Sequence, residues 1–422
     1  MDSDYFDAFN LASALVVCAA VFGYLNYRFL GLRQTTGLTA MGALASVVVV
    51  VVDNMLPEVQ TGHAIRRVLE SIDFRFALME GMLSFLLFAG ALHIDLNQMH
   101  RARWSIGIIT ISGVLVSTVV IGGAAWLVCR AVGLPLPLLW CLLFGALISP
   151  TDPVAVLGIL KRTSVPHSLE VTVAGESLFN DGVGVVVFTI LLQMAAGGGE
   201  ASLCEAGRLF VVEALGGAAL GAFAGWIAFV ALRSVDEHNL EVLITLALVM
   251  GGYALAHRLH VNGPIATAVA GLIIGNHGRR LAMSDITRDY VNKFWSLIDE
   301  ILNALLFLLI GLELILVLDD WKLLLLGLAA IPLTVGARAL SVGLPLLALR
   351  HSSGLPPGSY AILVLGGVRG GISIALALSV PEGPYKQLIV VATYVVVLFS
   401  VLIQGSSVAL VARRLFSLQP SS

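Results

Sequence analysis

The sequence predicts an all-α polytopic membrane protein of about thirteen transmembrane helices, arranged as two inverted six-helix repeats with crossed, broken helices. Three observations support that expectation. The 422-residue chain is 58% hydrophobic and only 12% charged, with a mean hydropathy of +0.95, whereas soluble domains carry about 25% charged residues. Apolar stretches of roughly 20 residues, long enough to cross a bilayer, recur along its whole length. Two of them, at equivalent places in the order, are interrupted by helix-breaking residues with a charge among them.

The first span, 9–27, follows Asp2, Asp4 and Asp7 rather than a basic segment, so it is expected to be a permanent helix and not a cleaved signal. Spans at 35–52, 76–94 and 104–129 follow, with a long external loop at 53–73 and Glu80 early in the third. The fifth, 138–160, contains Ser149-Pro150-Thr151-Asp152-Pro153. Each proline lacks an amide hydrogen and clashes with the preceding turn, so a continuous helix is not expected there. The sixth, 171–194, contains Gly175-Glu176-Ser177-Leu178-Phe179-Asn180-Asp181-Gly182, and the seventh, 210–232, links the halves. Spans eight and nine, 240–256 and 261–275, are separated only by His257-Arg258-Leu259-His260; fusing them would bring the count to about twelve. An internal loop, 276–293, leads to the tenth span, 294–318. The eleventh, 323–349, holds Arg338 among small and apolar neighbours. The twelfth, 360–380, is interrupted by Gly366-Gly367-Val368-Arg369-Gly370-Gly371, and 388–411 is the thirteenth. The whole of 1–422 is expected to be one membrane domain without a soluble one.

If span seven separates two halves of six, spans five and twelve are equivalent and run in opposite directions, which defines an inverted repeat. Broken helices that cross near the midplane free backbone carbonyls for a cation, and Asp152 and Arg369 are placed to offset the exposed half-helix dipoles. The alternative for a single proline or glycine is a simple kink. Arg and Lys favour one set of alternate loops by roughly two to one, which predicts an external N-terminus and a cytoplasmic C-terminus. The net charge of −3 gives no sign of nucleic-acid binding. Cys18, Cys129, Cys141 and Cys204 lack metal-like spacing and read as small buried side chains. Trp104, Trp140, Trp295 and Trp321 read as interfacial anchors, and Glu313, Asp319 and Asp320 as a solvated outer rim.

An acid in the middle of a membrane helix costs on the order of 3 kcal/mol, so Glu176 and Asp181 need a reason to be there. At 3.6 residues per turn Glu176 and Asn180 share one stripe, and Ser177 and Asp181 the next, giving one polar face. Should that face meet the Asp152 break, Asp152, Asp181, Ser177 and backbone oxygens would surround a hard monovalent cation, for which oxygen ligands are suited. Glu176 is better explained by a buried ion pair, with Arg338 as its partner.

These motifs resemble those of the monovalent cation/proton antiporters of the NhaP and NHE type. The similarity rests on Thr151-Asp152-Pro153, Glu176 to Gly182 and Gly367-Val368-Arg369-Gly370. Asn262-Gly263-Pro264 with Gly271 and Gly275, the 303–311 stretch and Arg338 follow in the same order. The resemblance implies an NhaA/NhaP-like thirteen-helix fold and a homodimer with a mobile core. The core would comprise spans near 74–94, 104–129, 138–160, 171–194, 323–349 and 360–380, the remaining spans forming the dimerisation side. It implies exchange of Na+ or Li+ for H+, with no other cofactor, at a site lined by Asp152, Asp181, Ser177 and Thr151. Asp181 would be the shared carrier and Glu176–Arg338 a structural pair. Asn180, which replaces a second aspartate of electrogenic relatives, would go with one-for-one, electroneutral exchange. Several relatives carry an acid in the third span near the position of Ala89, so an accessory contact is missing here unless Glu80 supplies it. The long regulatory tail of animal exchangers is not expected. The expected location is the plasma membrane, in a bacterium the inner membrane.

Burial penalises the charged form of a carboxylate, and a proton or a cation relieves that penalty, so the two exclude each other. That competition suffices for coupled exchange without hydrolysis. A K+/H+ antiporter of the same fold remains open. A channel would need a filter-like repeat and an intramembrane aspartyl protease a Gly-x-Gly-Asp context, and the sequence has neither.

Overall fold

The computed structural model describes residues 2–55, 82–96, 103–134, 136–152, 156, 160, 165–196, 203–314, 321–348 and 356–416. Among them all regular structure is helical. The helices are α1 (Asp2–Leu25), α2 (Gln34–Met55), α3 (Leu83–Leu92), α4 (Arg103–Val132), α5 (Leu138–Ile148), α6 (His167–Ala196), α7 (Leu203–Arg233) and α8 (His238–Arg258). They continue with α9 (Gly263–Ile273), α10 (Asp285–Leu312), α11 (Trp321–Ala348), α12 (Ser359–Leu365), α13 (Gly371–Leu378), α14 (Lys386–Phe399) and α15 (Gly405–Phe416), besides the short turn Arg279–Leu281. Nine spans among the described residues are long and apolar enough to cross a membrane, α14 and α15 counting as one through a π-helical turn. The chain is a multi-pass membrane protein.

Local chemistry sets the boundaries. Pro137, extended at φ −62° and ψ 146°, starts α5, and Pro150 follows the end of that helix closely. Spans eight and nine are separate helices, α8 and α9. His260 adopts φ +54° between them, and Asn262 caps α9 by accepting from the Ile265 amide at 2.9 Å. At the start of α10, Ser284 Oγ accepts from the Thr287 amide. The twelfth span is divided into α12 and α13 by the irregular segment 366–370.

Helix contacts follow the inverted repeat. α3 packs against α9, and its equivalent α10 packs against α2, the equivalent of α9. α4 packs against α5 and α6, and α11 against α12 and α14. α4 and α11 meet each other. α3 also touches α10 and α8, while α14 also touches α13. In the α2–α10 pair the backbones nearly touch. A Cβ on Gly42 would lie 2.9 Å from the Leu308 carbonyl, and one on Gly311 2.9 Å from Gly42 Cα. Small residues permit that approach and polar side chains secure it: Thr39 Oγ1 donates to the Phe307 carbonyl at 3.0 Å, and Ser46 Oγ to that of Leu312 at 2.7 Å.

Two expectations are corrected here. Trp295 is no interfacial anchor; it is 0% exposed, stacks near Phe88 at 4.5 Å and donates to Thr245 Oγ1 at 3.0 Å, because α3 and α8 close over that side of α10. Glu313 is no solvated rim residue; it is 4% exposed at the end of α10, where α2 reaches the Gly311 and Leu312 carbonyls through Ser46. Asp319 and Asp320 lie outside the described residues, as do the side chains of Trp104, Trp321 and Cys204.

Gly42→Val is expected to lower the thermal stability of the detergent-solubilised protein by about 1–3 kcal/mol through overpacking. Gly23→Val is the control. Nothing lies within 4 Å of a Cβ there, and its effect should stay within about 0.5 kcal/mol. Equal effects of the two would show that the α2–α10 approach is not tight.

Candidate ion-binding site

The interrupted helices meet at their breaks. The Asp152 amide donates to the Val368 carbonyl at 2.7 Å, tying the two irregular segments directly together. Asp152 packs against Gly370, where a Cβ would collide with its carboxylate, and a Cβ on Gly367 would lie 2.5 Å from Arg338 Nε. The glycines of the twelfth span thus make room for the two charged side chains. Gly370 also precedes α13, so the Asp152 carboxylate lies at the electropositive end of that half-helix.

At the other half-helix end the charge is reversed. α5 ends with carbonyls that have no partner inside the helix, as every helix does. Arg369, 2% exposed, donates through Nη1 to the Ser149 carbonyl at 2.5 Å and the Pro150 carbonyl at 3.1 Å. Its Nη2 has no hydrogen-bond partner. The crossing therefore places a carboxylate at a helix N-terminus and a guanidinium at a helix C-terminus.

The polar face of α6 lies against the α5 break. Asn180 Oδ1 accepts from the Thr151 amide at 3.2 Å, and Asn180 Nδ2 donates to Thr151 Oγ1 at 2.7 Å. Thr151 Oγ1 and Ser177 Oγ are 3.0 Å apart. Thr151, Ser177, Asn180 and Asp181 are all buried, while Asp152 is partly exposed. Among the described residues Asp181 Oδ1 has no hydrogen-bond partner, and Asp152 is near enough for the two charges to interact. An uncompensated carboxylate in such a place is costly.

Glu176 and Arg338 form a bidentate ion pair at 2.5 and 2.9 Å, with both side chains buried. Arg338 Nε and Nη2 also donate to the Leu363 carbonyl at 3.1 and 3.0 Å, covering the C-terminal end of α12. Paired forks of this kind are the strong form of a charge-assisted bond.

Pro153 and Glu80 lie outside the described residues. Ala89 is buried in an apolar cluster with Phe88, Phe229 and Trp295; the α3 residues clustered with Leu178 of α6 are Leu83, Leu87 and Ala91. Reasoning from sequence missed Ser400 and Gln404, which bond to the second break. A glutamine inside an apolar run was the available signal.

Comparison with known proteins gives concordant results. Residues 16–414 match the family model described as the transmembrane sodium/hydrogen exchanger. The chain is 49% identical over 418 residues to the Na+/H+ antiporter NhaP of Pseudomonas aeruginosa, covering 97% of this chain and 98% of that protein. It is 33% identical over 346 residues to the Na+/H+ antiporter NhaH of Halobacillus dabanensis, covering 81% and 83%. The fold matches the structure of the sodium proton antiporter MjNhaP1 from Methanocaldococcus jannaschii at pH 8, with a TM-score of 0.75 at 20% identity over 98% of this chain and 99% of that one.

Arg338→Ala is expected to destabilise the protein by about 3–5 kcal/mol by leaving Glu176 charged and alone. Replacing both residues by leucine should cost less, because no charge is stranded. Thermal unfolding in detergent distinguishes the two; a double variant less stable than the single one would show that the pair itself, and not the stranded charge, supplies the stability.

Proposed function

Because this chain belongs to the sodium/hydrogen exchanger family, we propose that it is a secondary transporter, not an enzyme, which exchanges Na+ or Li+ for H+ by alternating access. The observation that supports this most is Asp181: a buried carboxylate with an oxygen unpartnered among the described residues, near Asp152 of the first broken helix. It needs a positive charge to be stable there, and either ion supplies one. Na+ would be held by oxygens of Asp152, Asp181, Ser177 and Thr151, since hard cations favour oxygen ligands. Asp181 would cross the permeability barrier only when neutralised, which couples the two gradients.

The finer reading follows from the same residues. Asn180 supports electroneutral one-for-one exchange, since its amide bonds to Thr151 where a second carboxylate would carry another charge. Glu176–Arg338 and Arg369 are architecture. The moving bundle is built around α3 to α6 and α11 to α13, against a scaffold that includes α2, α7, α8, α9 and α10. The protein works as a homodimer in the plasma membrane, the inner membrane in a bacterium, with the N-terminus outside and the C-terminus in the cytoplasm.

The decisive measurement uses purified protein in proteoliposomes with an imposed pH gradient. Addition of Na+ should collapse the gradient in the wild type and leave it intact with Asp181→Ala; collapse by that variant would remove Asp181 as carrier. Half-saturating Na+ should rise as pH falls, since protons occupy the same carboxylate. Rates should be the same at zero and at imposed membrane potential, although 100 mV is worth about 2.3 kcal/mol per charge moved. Rates that follow the potential would exclude one-for-one exchange, and a response to K+ alone would reassign the cation.

A further inference from the structure

Between α14 and α15 the helix passes through a π-helical turn, Ser400–Gln404, at the level of the α12–α13 break. Such turns are rare and tend to occur at functional sites, and this one differs from the two others among the described residues, Asn26–Leu30 and Ile274–Gly278, in bonding to a helix break. Ser400 and Gln404, at its two ends, are both buried. Ser400 Oγ accepts from the Arg369 amide at 2.8 Å and donates to Gln404 Oε1 at 2.9 Å. Gln404 Nε2 faces the carbonyls of Leu365 at 3.0 Å, Gly367 at 3.3 Å and Val364 at 3.4 Å. The Leu365 carbonyl closes α12 and that of Gly367 lies in the break, while the Val364 carbonyl also accepts from the Gly367 amide at 3.3 Å.

The first repeat has the same device. Asn180, on the helix after the α5 break, accepts from the Thr151 amide as Ser400, on the helix after the α12 break, accepts from that of Arg369. Spans six and thirteen are equivalent in the inverted repeat. The two polar sets differ in what else they touch. Thr151, Ser177 and Asn180 adjoin Asp181, whereas Ser400 and Gln404 bond only to each other and to backbone. Their reach toward the ion is indirect: the Arg369 amide that Ser400 holds belongs to the residue whose guanidinium grips the Ser149 and Pro150 carbonyls, next to Thr151 and Asp152.

We propose that Ser400 and Gln404 are positioning residues for ion exchange, fixing the 366–370 segment and, through Arg369, the Pro150–Thr151–Asp152 backbone that lines the ion. The proposal rests on the exchange reading above. Losing them would loosen both breaks and alter how Na+ and H+ compete, rather than only slow the transporter.

The test compares Gln404→Met, which keeps length but removes the amide, with Ser400→Ala and the hydroxyl-keeping Ser400→Thr, all in the full chain. In proteoliposomes Gln404→Met and Ser400→Ala should raise half-saturating Na+ by about tenfold and shift the pH midpoint of exchange, and Ser400→Thr should restore both. Hydrogen exchange in detergent should show the 366–371 amides opening about tenfold faster in the first two variants, with the α2–α10 amides unchanged. A lower maximal rate with unaltered half-saturation and pH midpoint would make the role merely structural and overturn the proposal, as would unaltered hydrogen exchange. Should Gln404→Met fail to fold, Ser400→Ala, which removes one oxygen, gives the same readouts. A wild type that moves no protons on Na+ addition would overturn the exchange reading, and hydrogen exchange would still decide whether these residues hold the break.

Discussion

Everything at the centre of this protein depends on one constraint: inside a bilayer each backbone amide and carbonyl must find a partner, and two helices of this membrane protein are broken partway. Breaking a helix exposes several such groups at once. The fold satisfies them by crossing the breaks, so that the Asp152 amide bonds to Val368 and Arg369 to the end of α5. Asn180, Ser400, Gln404 and Arg338 supply further partners. The irregular backbone that results is what brings Thr151 and Asp152 against the polar face of α6.

That arrangement sorts the buried charges by whether they have permanent company. Glu176 is committed to Arg338 through two hydrogen bonds, a pair whose desolvation is offset only while both members remain. Arg369 is committed to carbonyls. Asp181 Oδ1, by contrast, has no hydrogen-bond partner among the described residues, a condition shared by Glu241 and one oxygen of Glu313.

Much of this was legible in the sequence because membrane folding makes certain residues conspicuous. Prolines 150 and 153 and the glycines around Arg369 stand out in apolar runs, since a helix interrupted there has no cheaper explanation. Arg338 was legible as a partner for Glu176 because few other buried cations were available. The misjudged residues were those whose burial depends on a distant helix. Trp295 and Glu313 look interfacial along the chain, and only α3, α8 and α2 folding over α10 removes them from the surface. Ser400 and Gln404 bond to backbone of the second break and to each other, so the one sign of them in the sequence is a glutamine inside an apolar run. A further difference lies in scale: periodicity reports a face, whereas the π-helical turn that orients Gln404 shifts the register by a single residue.

The bond from the Asp152 amide to the Val368 carbonyl joins the first half of the chain to the second. Neither half contains a finished crossing, for each contributes one broken helix and a charged residue, Asp152 or Arg369, that meets the break of the other. A chain cut within α7 would therefore regain the site only if its two pieces were inserted with opposite orientation and found each other in the membrane. The helix crossing is thus itself an interface, internal by virtue of a linker, and its integrity is a matter of association between two similar partners as much as of the folding of one.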